Sequence, residues 1–405
     1  MDIKRKNIPE GMRDMIGYEN TPAEKLGERL CSMYEKRGYV KVTTPALEYY
    51  DVFNFASQII PEENMYKLTD KSGRLVVMRP DNTTPLARIA ATRLKNAPLP
   101  IKLYYNQNVF RVPHDYSGKR SEFTQTGIEI IGADSARADI EVLVTALRTL
   151  REISSFFGGD VKYKLEIGHV GFCKALLESM ELEHDQFEKV LSYVGAKNSS
   201  ALDIGLDPGP KVDAALEKIR ALPRLYGTGE VLTTARQLCE GNSDAERVID
   251  YLGKILDILE QNGLNENVCI DLAMVNDMDY YTGLVFKGYL EHTGEAVLGG
   301  GRYDSMLSNF DMNAPATGFG VNLSLIADKL TRAFGGDKEQ KRITLVHYKE
   351  PSLLSRALNY MENCENTCVL SCFEKLSDAL DYASSAGIYK VVEIDSTGIR
   401  EVKEI

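Results

Sequence analysis

The chain has 405 residues, 43% hydrophobic and 26% charged, with a formal net charge of -11, a pI near 5.2 and a mean hydropathy of -0.24. That length exceeds what one hydrophobic core usually organises, so one large domain and at least one smaller one are expected. No apolar run approaches the roughly 20 residues of a membrane span, the amino-terminal MDIKRKNIPEGMRD has no apolar segment behind it to make a secretory signal, and the acidic balance argues against a broad nonspecific nucleic-acid surface; a cytoplasmic protein is expected.

From Thr21 to Arg37, Leu26, Leu30 and Met33 recur at helical spacing, and Gly38 follows as a C-terminal cap. YVKVTTPALE (39–48) reads as a strand. GRLVVMRPDNTTPLARIAATRL gives a strand, an Asp81-Asn82-Thr83 turn suited to N-capping, and a helix with Pro85 in its first turn. IKLYYNQNVFRV and SEFTQTGIEIIG alternate with period two around the polar loop PHDYSGKR, the pattern of an antiparallel hairpin. DSARADIEVLVTALRTLREI follows as an amphipathic helix capped by Asp134 or Ser135.

Residues from about 170 to 265 are polar and helical in period, interrupted at GLDPGPK and LPRLYGTGE, and read as a helical insertion. Strand-like sequence returns in NVCIDLAMV, YYTGLVFKGYL and EAVLGGGRYDSML, and TGFGVNLSLIADKLTRAF reads as the closing helix. GGDKEQKR is the clearest linker; beyond it strand and helix alternate, the pattern of a small α/β domain. The expected division is a large domain over 1–333 and a small one over 342–405.

Several residues carry chemistry. Gln125, Gly127 and Glu129 fall on one face of a strand. With Asp81, Thr83 and Tyr280 or Tyr281 they offer carboxylates, a hydroxyl and aromatic walls to a small cationic or amino ligand, or form an ordinary sheet edge. GGGRYD, Gly299 to Asp304, admits a ligand close to the backbone or makes a plain turn; it lacks the Lys-Ser/Thr pair of a phosphate loop. Arg111, near the hairpin tip, suits an anion. The histidines at 114, 169, 184, 292 and 347 show no ligand spacing. Cys364, Cys368 and Cys372 span what reads as a short strand from Cys368 to Cys372, whose ends do not converge on one ion, so no metal is assigned.

Taken in order, PEGMRD, GYVKVTTPALE, MRPDNTTPLAR, NVFR with EFTQTGIEIIG, DMDYYTGLVF, GGGRYD and ATGFGV resemble the catalytic domain of class II aminoacyl-tRNA synthetases, specifically histidyl-tRNA synthetase, over roughly residues 8 to 330. The resemblance implies an α+β fold, a six-stranded antiparallel sheet flanked by helices that dimerises through its first motif. It puts Asp81, Thr83 and Gln125 around the α-amino group of a bound histidine, Glu129 and Tyr281 on the imidazole nitrogens, and Tyr280 and Tyr303 as walls.

The nucleotide half departs from that pattern. Asn276 and Asp277 stand where a synthetase begins the stretch with arginine, Ser324-Leu325 stand for its closing Glu-Arg pair, Pro113 replaces a glutamate and Ser121 an arginine, leaving Arg111 of the main phosphate ligands. Losing one such donor typically costs ~10² to 10³ in rate. A histidine pocket without adenylation chemistry resembles the regulatory-subunit family of ATP phosphoribosyltransferase. That resemblance implies a non-catalytic chain without cofactor that partners the short-form catalytic subunit within a hetero-oligomer, pairs with itself, takes histidine as effector and does not bind tRNA. The slightly acidic tail over 341–405 agrees with the last point. An active synthetase and a histidine-binding paralogue with another partner are the alternatives.

Overall fold

The computed structural model describes residues 6–16, 21–55, 60–113, 119–178, 184–195, 218, 220–274, 281–334 and 342–404. The chain divides into two compact units, Met1–Gly336 and Asp337–Ile405.

The first unit begins with α1 (Thr21–Lys36), whose Leu26 and Leu30 are wholly buried, and Gly38 turns the chain with φ +81° as expected of its cap position. The segment read as one strand is two short ones, β1 (Val40–Lys41) and β2 (Leu47–Tyr49). Pro45 lies between them and has no N–H to give a ladder. β3 (Lys67–Thr69) and β4 (Leu75–Met78) pair with β2 in a small antiparallel sheet of order β2-β4-β3.

α2 (Thr83–Ala91) starts as its turn sequence predicts: the Asp81 carboxylate accepts the Thr84 N–H at 2.8 Å and the Thr84 hydroxyl at 3.1 Å. β5 (Ile101–Phe110) and β6 (Glu122–Ile131) form the expected antiparallel hairpin. α3 (Ala136–Phe156) begins after Ser135, although the serine side chain makes no capping bond.

β7 (Tyr163–His169) precedes α4 (Val170–Glu178), α5 (His184–Gly195), the two-residue β8 (Tyr226–Gly227), α6 (Glu230–Leu238) and α7 (Ser243–Gln261). Phe172, Leu176, Ile249, Leu252, Ile255 and Leu259 from these helices share one continuous core with α1 and α3, so this segment is built into the main core. Burying each such side chain contributes roughly 1.5–3 kcal/mol.

β9 (Val268–Asp271), β10 (Leu284–Leu290), β11 (Ala296–Arg302) and β12 (Ala316–Asn322) complete the main sheet, and α8 (Leu323–Phe334) closes the unit. Two readings are corrected here. Residues 317–322, taken as the start of a helix, are strand β12: Phe319 and Val321 enter the core while Gly318 and Gly320 face away, a period of two rather than 3.6. GGGRY is no turn, because Gly299 to Arg302 lie within β11, Gly299 to Gly301 paired on both sides and Arg302 with β12.

Among the described residues the main sheet has nine strands in the order β1-β5-β6-β12-β11-β10-β7-β9-β8. In the six from β5 to β7 each strand is antiparallel to its neighbours among them, and the pairs β1/β5 and β7/β9 are parallel. One face carries Tyr104, Ile128, Ile130, Phe286, Phe319 and Val321 into the core shared with the helices. On the opposite face Leu103, Tyr105 and Ile131 pack with α2 and β4 in a second core; the remainder of that face holds the cavity described below.

The second unit is a four-stranded sheet of order β14-β13-β15-β16, comprising β13 (Ile343–Tyr348), β14 (Thr367–Leu370), β15 (Lys390–Ile394) and β16 (Ile399–Glu404). α9 (Leu354–Glu362) and α10 (Leu376–Ser385) supply Ala357 and Ala379 to its two small cores. β13 runs parallel to β14 and β15, and β16 returns antiparallel. β14 ends at Leu370, so the strand read from Cys368 to Cys372 stops short of Cys372.

Candidate functional site

A cavity of about 270 Å³ opens on the sheet face that α2 partly covers, opposite the face packed on α1 and α3. Its floor is unusually bare because glycines occupy adjacent strands. Gly127 of β6 stands beside Gly320 of β12, which stands beside Gly299 of β11; one rung further, Glu129 stands beside Gly318, and Gly318 beside Gly301. The absence of side chains is required. A Cβ on Gly318 would sit 1.8 Å from Glu129 Oε2, and one on Gly301 would sit 2.7 Å from the Tyr281 ring.

The sequence-predicted residues meet here. Asp81, Thr83, Gln125 and Glu129 line the cavity together with Arg111, Tyr281 and Tyr303. Tyr280, Asn276 and Asp277 lie outside the described residues. The Glu129 carboxyl is 1% exposed; its Oε1 accepts the Thr83 hydroxyl at 3.0 Å and its Oε2 accepts the Tyr303 hydroxyl. Burial pushes the Glu129 carboxyl up to about 8, the two hydroxyl bonds opposing that rise and the Asp81 charge adding to it. Asp81 is raised as well, by burial. Burial also drives the Tyr303 hydroxyl well above its ordinary value, with the Glu129 charge adding.

Gln125 is fixed by a chain of amides. Its Oε1 accepts from Asn82 Nδ2 at 2.9 Å, Asn82 Oδ1 accepts from Gln107 Nε2 at 2.6 Å, and Gln107 Oε1 accepts the Thr44 N–H at 3.1 Å. Arg111 donates from Nε to the Pro80 carbonyl at 2.7 Å, and its guanidinium faces the Phe123 ring 5.4 Å from the centroid.

Sequence reasoning missed three contributors. Tyr105, 1% exposed, lines the cavity beside Gly127, on the opposite strand face from its neighbour Tyr104. Lys287 of β10 lines it from the far side. Arg302, in the stretch already singled out for its glycines, forms a buried ion pair with Asp139 of α3 at 2.9 Å, and its carbonyl accepts the Thr282 N–H at 2.8 Å. That pair anchors the backbone beside both Tyr281 and Tyr303. The run of GGG followed by Arg-Tyr was the available signal for Arg302; nothing in the spacing marked Tyr105 or Lys287.

A second cavity of about 560 Å³ shares Arg111, Phe123 and Asn322 with the first. Pro113, Ser324 and Leu325, which depart from the synthetase pattern, line it; Ser121, another departure, lies outside its lining. Ser121 is fully buried; its hydroxyl donates to the Glu10 carbonyl, and its N–H to the Gly11 carbonyl at 2.7 Å. Ser324 accepts the Thr124 N–H at 2.9 Å, and Leu325 packs against the main core. Arg120 is held by the two oxygens of Asp328 at 2.8 and 2.6 Å.

Fold and cavity together define a protein of the class II aminoacyl-tRNA synthetase type, a mixed sheet flanked by helices with a polar pocket on the face that carries α2. The sequence model of the histidyl-tRNA synthetase family matches residues 11–326. The chain is 38% identical over 395 residues to an ATP phosphoribosyltransferase regulatory subunit of Clostridium botulinum (strain Langeland), covering 96% of this chain and 92% of the relative. It is 36% identical over 407 residues to one of Bacillus thuringiensis subsp. konkukian, covering 98% and 94%. A solved structure from Bacillus halodurans, described as an ATP phosphoribosyltransferase regulatory subunit/histidyl-tRNA synthetase, superimposes with a TM-score of 0.82 at 28% identity, over 96% of this chain and 98% of the other. Histidyl-tRNA synthetase from Nostoc sp. PCC 7120, at 20% identity and a TM-score of 0.74, shares the fold. The chain belongs to the family of ATP phosphoribosyltransferase regulatory subunits, histidyl-tRNA synthetase-like proteins.

Proposed function

We propose that this chain is a non-catalytic regulatory subunit of ATP phosphoribosyltransferase that binds histidine in the smaller cavity and transmits feedback inhibition to the short-form catalytic subunit. The observation that carries the reading is the Glu129 carboxyl, buried on the cavity floor and held by the Thr83 and Tyr303 hydroxyls. Such a group suits a ring nitrogen of imidazole, with Tyr281 for the other nitrogen, Tyr280 and Tyr303 as walls, and Asp81, Thr83 and Gln125 toward the α-amino group. A buried site pairing with both ring nitrogens rejects analogues that lack them by factors up to ~10⁴ to 10⁵.

The residues that stand in place of the synthetase's phosphate ligands support the non-catalytic half of the reading. The arginine expected at Ser121 would have to enter a position packed against Gly11, where even a Cβ on that glycine would come within 2.0 Å of the serine oxygen. Ser324 and Leu325 offer no cation to a triphosphate. Feedback requires that histidine bind two arrangements of the complex with different affinity. Self-association within a cytoplasmic hetero-oligomer, without tRNA, completes the proposal.

The test mixes the protein with a short-form catalytic subunit and measures phosphoribosyl transfer to ATP with and without histidine. Inhibition by histidine that depends on this chain is the expected result. Histidine-driven pyrophosphate exchange by the chain alone, or no effect on transfer, overturns the proposal.

A further inference from the structure

The cavity must neutralise the carboxylate of an amino acid as well as its amino and imidazole groups, and the residues assigned so far include one cation, Arg111, with its Nε on the Pro80 carbonyl. Arg111 stands where the two cavities meet and lines both. A second cation faces the smaller one. Leu284, Phe286 and Leu290 of β10 enter the helix-side core, which turns Lys287 to the cavity face.

Its position follows from register. Tyr105 pairs with Gly127, Gly127 with Gly320, Gly320 with Gly299, and Gly299 with Lys287. This single rung runs across the sheet with a tyrosine at one end, a lysine at the other and three glycines between. A Cβ added to Gly299 would meet nothing within 4 Å, so the space beside the lysine is open. From β6, which carries Gln125 and Glu129, to β10 is three strand spacings, about 14 Å. Side chains reaching in from both ends narrow that width to a trough suited to one amino acid. Lys287 is half-buried, and among the described residues its side chain makes no ion pair or hydrogen bond. An ammonium so placed across the trough from the Glu129 and Asp81 carboxyls, with Glu166 of β7 as its register neighbour, gives the trough an acidic end and a cationic end for an amino acid lying across it.

We infer that Lys287 binds the α-carboxylate of the amino acid held in this cavity and thereby selects amino acids over their decarboxylated amines. The inference rests on the histidine reading above and names the partner of a group that reading leaves without one.

The test compares Lys287→Met with the unsubstituted protein by calorimetric titration of L-histidine and of histamine, which keeps the imidazole and amine but lacks the carboxylate. The unsubstituted chain is expected to prefer histidine. In the variant histidine binding should weaken by roughly 10- to 100-fold, the range of a hydrogen bond to a charged group, while histamine binding stays unchanged, so that the preference collapses. Equal losses for both ligands, or no loss for histidine, overturn the role of Lys287 and leave histidine binding standing. Failure of the unsubstituted protein to bind histidine overturns both. Lys287→Arg keeps the charge and should restore part of the preference; a variant that binds histamine normally is folded at the site.

Discussion

The two cavities lie on the same sheet and share Arg111, Phe123 and Asn322, yet they are organised differently. In the smaller one, polar side chains are cross-linked and aimed into a trough cleared by glycines: buried Glu129 with half-buried Thr83 and with Tyr303, half-buried Gln125 through buried Asn82 to Gln107. In the larger one, Arg120 and Asp328 are partly exposed and paired with each other, while Ser324 serves neighbouring backbone. Buried polar groups with satisfied partners hold a ligand geometry, and surface pairs hold little. The contrast teaches that the smaller cavity is organised by a connected polar network over a glycine floor, and the larger one by a partly exposed ion pair.

The largest expected effect comes from filling the trough. Gly318→Ala puts a methyl group onto Glu129 Oε2 and the Ile128 carbonyl; it should destabilise the fold by about 1–3 kcal/mol and abolish histidine binding, read by thermal unfolding and titration. Normal binding by this variant would mean that the ligand does not use the glycine floor.

Next comes the charge of the floor. Because Glu129 is raised from 4.5 to about 8, the stability contributed by its neutral form is complete below about 4.5, declines as pH rises, and is lost beyond about 8. Glu129→Gln stays neutral throughout, so between pH 5 and pH 8 the unsubstituted protein should lose more stability in urea unfolding than the variant does. Parallel losses would show a carboxyl already ionised in the fold. The same variant should bind histidine poorly at either pH.

Tyr281→Phe removes one hydroxyl and keeps the ring that packs over Gly301. Histidine should bind up to about tenfold more weakly with stability nearly unchanged. The smallest effect belongs to the other cavity: Asp328→Asn breaks a partly exposed pair, and stability should move by less than about 1 kcal/mol with histidine affinity unaltered. A loss of histidine binding there would erase the distinction between the two cavities.

Local patterns announced much of this. The hairpin of β5 and β6 was legible from its alternation, α2 from the Asp81 turn and Pro85, and α1 from its period and Gly38. β12 was misread because a glycine-rich strand running straight into the apolar period of α8 carries no boundary that spacing alone reveals; only the neighbouring strands, which receive Phe319 on one side and need bare glycine on the other, define it. The Asp81, Thr83, Gln125 and Glu129 positions came from family motifs, and the pattern itself left them open between a pocket and a sheet edge.

By itself, then, the sequence determined which segments alternate, which turns cap helices and which motifs occur in order, since these depend on neighbours a few residues apart. Register across strands joined by long connections was decided by the tertiary structure. It set Tyr105 and Lys287 at opposite ends of a glycine rung although 182 positions part Tyr105 from Lys287 in the numbering, and it paired Arg302 with Asp139 beneath two tyrosines. Such pairings depend on which strands lie side by side, and a one-residue slip would turn every one of these side chains to the other face.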